Sequence, residues 1–513
     1  MSKVLNSAIG LVGAAAVGYW ATGNVLGPAV ATAAMGLVLH AKYSGSGSKD
    51  AQFGDTVRGT QVDSKTKRKQ RAHADQITIG GIAIPRDCEP QHFLAVGGTG
   101  TGKTVAGEAI LDVARARGDR AVVYDPTGVL VSHYYREGKD VILSPIDSRS
   151  VLWTPWSEGK TAYAYENIAK ALVPDALGEN QFWSQAGRAI FRAALTSTTN
   201  LPALIDLVFG EDQDFLLSVL QSLRIVGLAG PENMLASSRG TCATYIQPLS
   251  YLPPVDDKEP FSIRKWVRDE SCDSWLFIPA REDVIGAIRP LISMWLGIAV
   301  QSSMSLPQSH TRRLWFILDE LPTLQKLPSL DTVLAGGRKY GITCLLGIQA
   351  IAQLREVYGH DGAAALLSHP STRLTLRVND FETAEYLSKS LGDRHTVRKV
   401  SSESQNSGGG GQSTSEQHAI ESAVLASEIM ALPNLTGYLR VPNDPVIKKI
   451  KLIRRAREAL AELYQDRELD LSSSPLVPQA PPPPDLAGLT RAAYSPGLDA
   501  PGQDLDGPDL PDL

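Results

Sequence analysis

The stretch LAVGGTGTGKT, residues 94–104, decides the fold of this chain. It fits the pattern G-x-x-x-x-G-K-[ST], in which an apolar strand ends in a glycine-rich loop and a helix follows. The glycines let backbone N–H groups wrap a phosphate, and the helix adds the positive end of its dipole. The pattern therefore predicts a nucleotide-binding loop. Its cofactor-binding residues are expected to be Gly97, Gly98, Thr99, Gly100, Thr101, Gly102, Lys103 and Thr104.

The last two residues of the loop carry separate chemical roles. Lys103 is expected to neutralise charge on the β- and γ-phosphates, which also makes it a catalytic residue. The Thr104 hydroxyl is expected to take one coordination position of Mg²⁺. The predicted cofactors are therefore ATP and Mg²⁺.

A second motif, LWFILDE at residues 314–320, places two carboxylates at the end of an apolar strand. Asp319 would hold the metal ion, and Glu320 would polarise the attacking water. Taken alone, the motif would better fit a strand that ends in a surface acidic pair. The phosphate loop upstream, with enough chain between the two motifs for an α/β sheet, favours the catalytic interpretation.

Two further polar residues follow in sequence. Arg338, in GGRKYG at residues 336–341, lies nineteen residues after Asp319 and could be delivered to the γ-phosphate of a neighbouring subunit. Gln349 follows the next apolar strand and could sense the γ-phosphate or orient water. From the residues alone, a solvated arginine and a glutamine without catalytic function remain open alternatives.

Strand, loop, helix and strand alternate around the phosphate loop, which predicts a parallel α/β sheet of the P-loop class. Residues 77–85 are expected to form a hairpin, and residues 401–417, rich in serine and glycine, a flexible loop. Between residues 156 and 252 the strand patterns fade and helical runs dominate. The sequence therefore predicts an all-α domain inserted into the α/β domain.

The first 43 residues contain two uncharged apolar runs, at residues 4–22 and 25–41. Each is about long enough to cross a thin bilayer, which takes roughly 17–25 residues. Lys3 and Lys42 flank the pair, so the positive-inside rule places both ends in the cytoplasm. The alternatives are a cleaved signal peptide and a buried alanine-rich hairpin.

Composition narrows the remaining choices. The chain has 513 residues and a net charge of -5, so its overall charge does not indicate nucleic-acid binding. Its four cysteines lack C-x-x-C spacing, which argues against zinc sites and a disulfide scaffold. The expected organisation is a membrane hairpin (1–43), a basic linker (44–76), a nucleotide-binding domain in two parts (77–155 and 256–463), an all-α domain (156–255) and a disordered Pro-rich acidic tail (464–513).

Together these motifs resemble the type IV secretion coupling proteins of the TraD/TrwB type, relatives of the FtsK and HerA motors. The resemblance rests on HFLAVGGTGTGKT, VVYDPTG, LWFILDELPTLQKLPSL, GGRKYG and LGIQA, in that order along the chain. It implies a hexameric ATPase with a RecA-like domain, anchored in the bacterial inner membrane with its bulk in the cytoplasm. It also implies that Arg338 acts in trans as an arginine finger and that Gln349 acts as a sensor.

The partners implied by the resemblance are a relaxase bound to single-stranded DNA, other relaxosome proteins and the proteins of a type IV secretion channel. Double-stranded DNA is a further expected partner. Two other functions remain open: an FtsK-like translocase of double-stranded DNA, and a docking receptor whose nucleotide site only controls assembly. A Pro-rich tail in place of a C-terminal winged helix argues against the first of these.

Overall fold

The computed structural model describes residues 55–63, 75–176, 178–210, 213–224, 232–253, 259–406 and 409–467. The predicted membrane hairpin lies outside these ranges, as do most of the basic linker and all but the first four residues of the acidic tail.

Fifteen strands are described. They are β1 (Asp55–Gly59), β2 (Gln61–Asp63), β3 (Thr78–Ile79), β4 (Ile82–Ala83), β5 (Phe93–Val96), β6 (Arg120–Asp125), β7 (Val141–Ile142), β8 (Leu276–Pro279), β9 (Leu314–Leu318), β10 (Ile342–Ile348), β11 (Thr372–Thr375), β12 (Asp393–Asn406), β13 (Gly409–Ser422), β14 (Thr436–Arg440) and β15 (Val446–Lys451).

Thirteen α-helices are described with them. They are α1 (Lys103–Arg117), α2 (Val129–Tyr134), α3 (Ala162–Leu172), α4 (Gln181–Ser197), α5 (Leu201–Phe209), α6 (Gln213–Ser222), α7 (Glu232–Ile246), α8 (Ile263–Arg268), α9 (Ile285–Ser303), α10 (Leu330–Gly336), α11 (Ile351–Ser368), α12 (Phe381–Leu391) and α13 (Ala426–Met430).

The main sheet has ten strands in the order β2-β15-β14-β11-β5-β10-β9-β6-β8-β7. The seven strands from β11 to β7 run parallel, and β14 and β15 extend the sheet by antiparallel pairing. Parallel strands need long crossover connections, and the helices between them supply these crossovers. The predicted parallel α/β sheet is therefore present.

Alternate residues of the central strands enter two separate apolar cores. Leu94 and Val96 of β5 belong to the core on the side of α9, whereas Phe93 and Ala95 belong to the core under α1. This alternation is the period of two that a strand imposes on its side chains. Because helices cover both faces, the parallel strands are buried throughout, as their near-continuous apolar sequences require.

Between β7 and β8, the described elements are α-helices and short 3-10 helices. Helix α9 packs against this helical region, since its Gly297 lets Ala171 of α3 approach closely. Within the described ranges, α9 alone is long and apolar enough to cross a bilayer, and 67% of its apolar window is buried inside the protein. Core helices commonly have the same length and composition.

The prediction of a flexible loop at residues 401–417 is wrong. Strands β12 and β13 pair in antiparallel register from Asp393–Ser422 to Asn406–Gly409, and β1 adds a third strand beside β12. Backbone hydrogen bonds make this ribbon, and they do not require an apolar side-chain pattern. The serine- and glycine-rich composition hid the strands because strand prediction relies on such a pattern.

Candidate functional site

The glycine-rich loop joins β5 directly to α1. Its backbone takes positive φ at Gly100 (73°) and at Gly102 (122°), which non-glycine residues rarely adopt. Gly102 also allows close packing, because a β-carbon there would lie 2.8 Å from Leu452 Cδ1. The loop is thus held open at the beginning of a helix, where backbone N–H groups can bind an anion.

The sheet order explains why two distant motifs meet at this loop. Strand β10 lies between β5 and β9, and all three are parallel, so their carboxyl ends share one edge. The Thr104 hydroxyl donates a hydrogen bond to Asp319 Oδ2 at 3.0 Å. Lys103 Nζ lies 3.4 Å from Glu320 Oε2 and donates to the Gly97 carbonyl at 2.8 Å.

The carboxylates of Asp319 and Glu320 are both buried, and burial shifts their pKa values. Burial raises the pKa of Asp319 to about 6, with the nearby Asp125 charge acting in the same direction. Burial also raises the pKa of Glu320, while the Lys103 ammonium opposes this effect. A cation bound at Asp319 would favour its ionised form, so cation binding and proton loss promote each other.

Glu320 is also distinguished by its hydrogen bonding. Its Oε1 atom is buried and has no hydrogen-bond partner among the described residues. Gln349 nevertheless lies close enough to lower the pKa of this carboxylate by hydrogen bonding. Buried carboxylate oxygens are normally paired, so an unpaired one that lines a cleft is able to accept a hydrogen bond from a ligand or water.

Gln349 reaches the same cleft from β10. Thr99 Oγ1 donates a hydrogen bond to Gln349 Oε1 at 3.2 Å, which joins the phosphate loop to the end of the intervening strand. Both residues line one cleft together with Lys103, Asp319 and Glu320.

Among the predicted site residues outside the phosphate loop, Arg338 is the one that the structure does not bring to this cleft; within the loop, Gly97 and Thr101 are buried and do not line it. It is exposed on a short 3-10 helix immediately before β10, whereas Gln349 follows the end of that strand. At about 3.3 Å per residue, β10 separates the two positions by roughly 20 Å. Arg338 therefore lies at the opposite edge of the sheet from the phosphate loop of its own subunit.

Comparison with known proteins identifies the family. Residues 76–453 match the model of the type IV secretion-system coupling protein DNA-binding domain. The chain belongs to the type IV secretion coupling protein family. Coupling protein TraD of Escherichia coli strain K12 is 33% identical over 417 residues, which cover 78% of this chain and 58% of TraD. The chain thus matches less than two thirds of the length of this relative.

Solved structures of another coupling protein share the fold. Plasmid coupling protein TrwB in complex with ADP and Mg²⁺ aligns with a TM-score of 0.72 and 32% identity, covering 81% of this chain and 98% of the TrwB chain. The same values hold for TrwB in complex with the non-hydrolysable ATP analogue ADPNP. The predicted α/β P-loop fold is confirmed by this match.

The cleft of this coupling protein contains residues that the sequence motifs did not indicate. The further lining residues include Tyr124, Thr127, Glu282 and Arg454. Tyr124 lies near the end of β6 and Thr127 follows that strand, whose carboxyl end shares the edge of β9, so sheet topology would have indicated them. Arg454 follows the edge strand β15, and the sequence contains no pattern that places it near the loop.

Gly347 makes the approach of the two strand ends possible. A β-carbon at this position would lie 2.6 Å from the Asp319 carbonyl carbon and closer still to its oxygen. We expect Gly347→Ala to displace Asp319, lower the free energy of unfolding by about 1–3 kcal/mol and reduce nucleotide hydrolysis at least about tenfold. Chemical unfolding and a phosphate-release assay measure both effects.

Gly240→Ala is the matched control, because a β-carbon there has no neighbour within 4 Å and the residue lies inside α7. Alanine favours helices, so this variant should be at least as stable as the natural protein. Equal hydrolysis by the two variants would contradict the proposed importance of the Gly347 contact.

Proposed function

We propose that this coupling protein is an ATPase that delivers relaxase-bound single-stranded DNA to a type IV secretion channel during bacterial conjugation. One observation carries the proposal: in a member of this family, Lys103, Thr104, Asp319, Glu320 and Gln349 meet in a single cleft. Hydrolysis of ATP would drive movement of the DNA.

ATP and Mg²⁺ are the proposed cofactors. The paired hydroxyl and carboxylate oxygens of Thr104 and Asp319 are ligands that suit Mg²⁺, which is usually held by few protein groups together with phosphates. Bound Mg²⁺ would neutralise charge on the β- and γ-phosphates.

The remaining site residues are assigned as follows. Lys103 would exchange its contact with Glu320 for the phosphates and stabilise their charge. Glu320, relieved of that contact, would use its unpaired Oε1 to orient water and accept its proton. Gln349 would report the presence of the γ-phosphate through its bond to Thr99.

The position of Arg338 supports a nucleotide site shared between subunits of the proposed homo-hexamer. Because it lies across the sheet from its own cleft and is exposed, Arg338 would serve the nucleotide of a neighbouring subunit. The helices between β7 and β8 would form the all-α domain, facing the cytoplasm. Residues 1–43 would anchor the hexamer in the inner membrane, and residues 464–513 would extend from it as a tail.

Single-stranded DNA should stimulate ATP hydrolysis by the detergent-solubilised full chain. We expect the rate of ATP hydrolysis to increase at least about fivefold. In a DNA translocase, DNA binding promotes the conformational steps that limit turnover. Phosphate release is measured with single-stranded DNA, with double-stranded DNA and without DNA. Stimulation by double-stranded DNA alone would favour the FtsK-like alternative. A rate of ATP hydrolysis that neither form of DNA changes would favour the docking receptor.

A further inference from the structure

Residues 452–467, which we call the C-terminal strap, cross α1 between its beginning and its middle. The strap starts after β15, on one side of β5, and its Tyr464 hydroxyl donates to the Pro126 carbonyl at 3.1 Å, beyond β6 on the other side. Between these points, Leu460 N donates to the Ser132 carbonyl at 2.8 Å. The strap therefore passes over the helix that opens the nucleotide cleft.

The start of the strap is fixed to the phosphate loop itself. Leu452 N donates to the Leu435 carbonyl at 2.7 Å, and Leu435 N donates to the Thr101 carbonyl at 2.9 Å. The Leu452 side chain is buried and packs where Gly102 lacks a β-carbon. Two backbone hydrogen bonds in series thus join the strap to the loop.

A second anchor lies three residues beyond Arg454. Arg457 makes two hydrogen bonds to the Asp112 carboxylate of α1, at 2.7 and 2.8 Å, and its Nε lies 3.5 Å from Glu108. A bidentate pair of this kind fixes orientation as well as distance. Since Leu452 and Arg457 are both held, the backbone of Arg454 is kept beside the phosphate loop and α1, and its side chain is exposed.

Arg454 faces the nucleotide cleft and has no protein partner there. It lines the cleft together with Lys103 and Thr104, and its side chain makes no hydrogen bond or ion pair within the described part of the chain. Its neighbour Arg455 lines a separate cleft and pairs with Asp112 at 3.2 Å. The two adjacent arginines therefore have different environments.

The side chains that line the cleft carry more negative than positive charge. Its described lining contains three carboxylates, from Glu282, Asp319 and Glu320, and two cations, from Lys103 and Arg454. In the proposed function Lys103 exchanges Glu320 for the phosphates and Mg²⁺ binds at Thr104 and Asp319, so both act on the β- and γ-phosphates. Arg454 is the remaining cation of the described lining, and it is placed to compensate charge elsewhere on a nucleoside di- or triphosphate.

We propose that Arg454 binds the nucleotide, through the phosphate nearest the ribose. This inference rests on the proposed function, in which the cleft holds ATP. The strap reaches the loop from the β15 side of β5, whereas Glu320 and Gln349 reach it from the β9 and β10 side. Arg454 and Glu320 would therefore contact different ends of a bound phosphate chain, and the α-phosphate assigned to Arg454 is common to ADP and ATP.

Calorimetric titration of the full chain with ADP and with a non-hydrolysable ATP analogue tests the proposal. Arg454→Ala should weaken both affinities about tenfold, since charge-assisted hydrogen bonds are stronger than neutral ones and tenfold is typical of losing one. Turnover at saturating ATP should stay within about twofold of the natural protein, because the contact is the same before and after hydrolysis. Arg454→Lys should recover part of the affinity.

Arg455→Ala is the matched control, one residue away, and should leave both affinities unchanged. Thermal unfolding of the Arg454→Ala protein should match that of the natural chain, because no described contact is lost. Unchanged ADP affinity in Arg454→Ala, or an equal loss in Arg455→Ala, would overturn the inference and leave the proposed function standing. A natural chain that binds neither nucleotide would overturn the proposed function together with the inference.

Discussion

Lys103→Ala protein should fold, lose nucleotide hydrolysis and fail to support plasmid transfer. We expect turnover to fall at least about a hundredfold, the scale on which removal of one preorganised charge-stabilising group acts. In the structure Lys103 is buried, ion-paired with Glu320 and bonded to the Gly97 carbonyl, so no other described lysine can replace it at the loop. Phosphate release and conjugation frequency measure the two losses.

The control for this variant is Lys139→Ala, which removes an exposed lysine outside the cleft and should be indistinguishable from the natural protein. Circular dichroism and thermal unfolding separate a chemical defect from misfolding. Removal of Lys103 leaves the Glu320 carboxylate without its partner, so a small loss of stability is compatible with the prediction. Normal plasmid transfer by Lys103→Ala would exclude an ATP-driven function.

Arg338→Ala protein should lose hydrolysis about 1,000-fold or more, as expected for an arginine finger, while its affinity for ADP stays unchanged. The reason is its place at the sheet edge opposite its own cleft, where it touches no lining residue of that cleft. Co-expression of Arg338→Ala with Lys103→Ala subunits should restore part of the activity. Mixed interfaces would then combine an intact Lys103 with an intact Arg338.

Lys339→Ala, which removes the adjacent exposed lysine, should keep full activity and serves as the control. If Arg338 acted within its own subunit, every mixed oligomer would contain only defective sites. The absence of any recovery in mixtures that demonstrably co-assemble would therefore refute action in trans.

Much of the site was predictable because it is built from short, local motifs on a regular sheet. In the glycine loop and in the LWFILDE strand, a few consecutive residues are enough to indicate the chemical role. Parallel strands then necessarily bring their carboxyl ends together. Gln349 could be placed by the same rule. The structure adds the order of the strands, with β10 between the two motifs, and so explains why Gly347 must lack a side chain.

Other features could not be predicted, since they depend on contacts between residues far apart in the sequence. Arg454 reaches the cleft only because β14 and β15 extend the sheet beyond β11. No short sequence motif predicts this order of strands. The ribbon of β12 and β13 escaped detection for a different reason. Its backbone pairing is regular, whereas its serine- and glycine-rich sequence lacks the apolar alternation by which strands are recognised.

The C-terminal strap connects the start of the tail physically to the nucleotide cleft. Its last described residue, Arg467, donates from its backbone to Ile146 and from its side chain to Tyr251, so the chain beyond it starts from a fixed point. A partner that released Arg467 would free one end of the strap, whose other end is bonded to the phosphate loop through Leu452, Leu435 and Thr101. Because coupling between two sites is reciprocal, we expect such a partner to change nucleotide affinity, and nucleotide binding to change the affinity for that partner by the same factor.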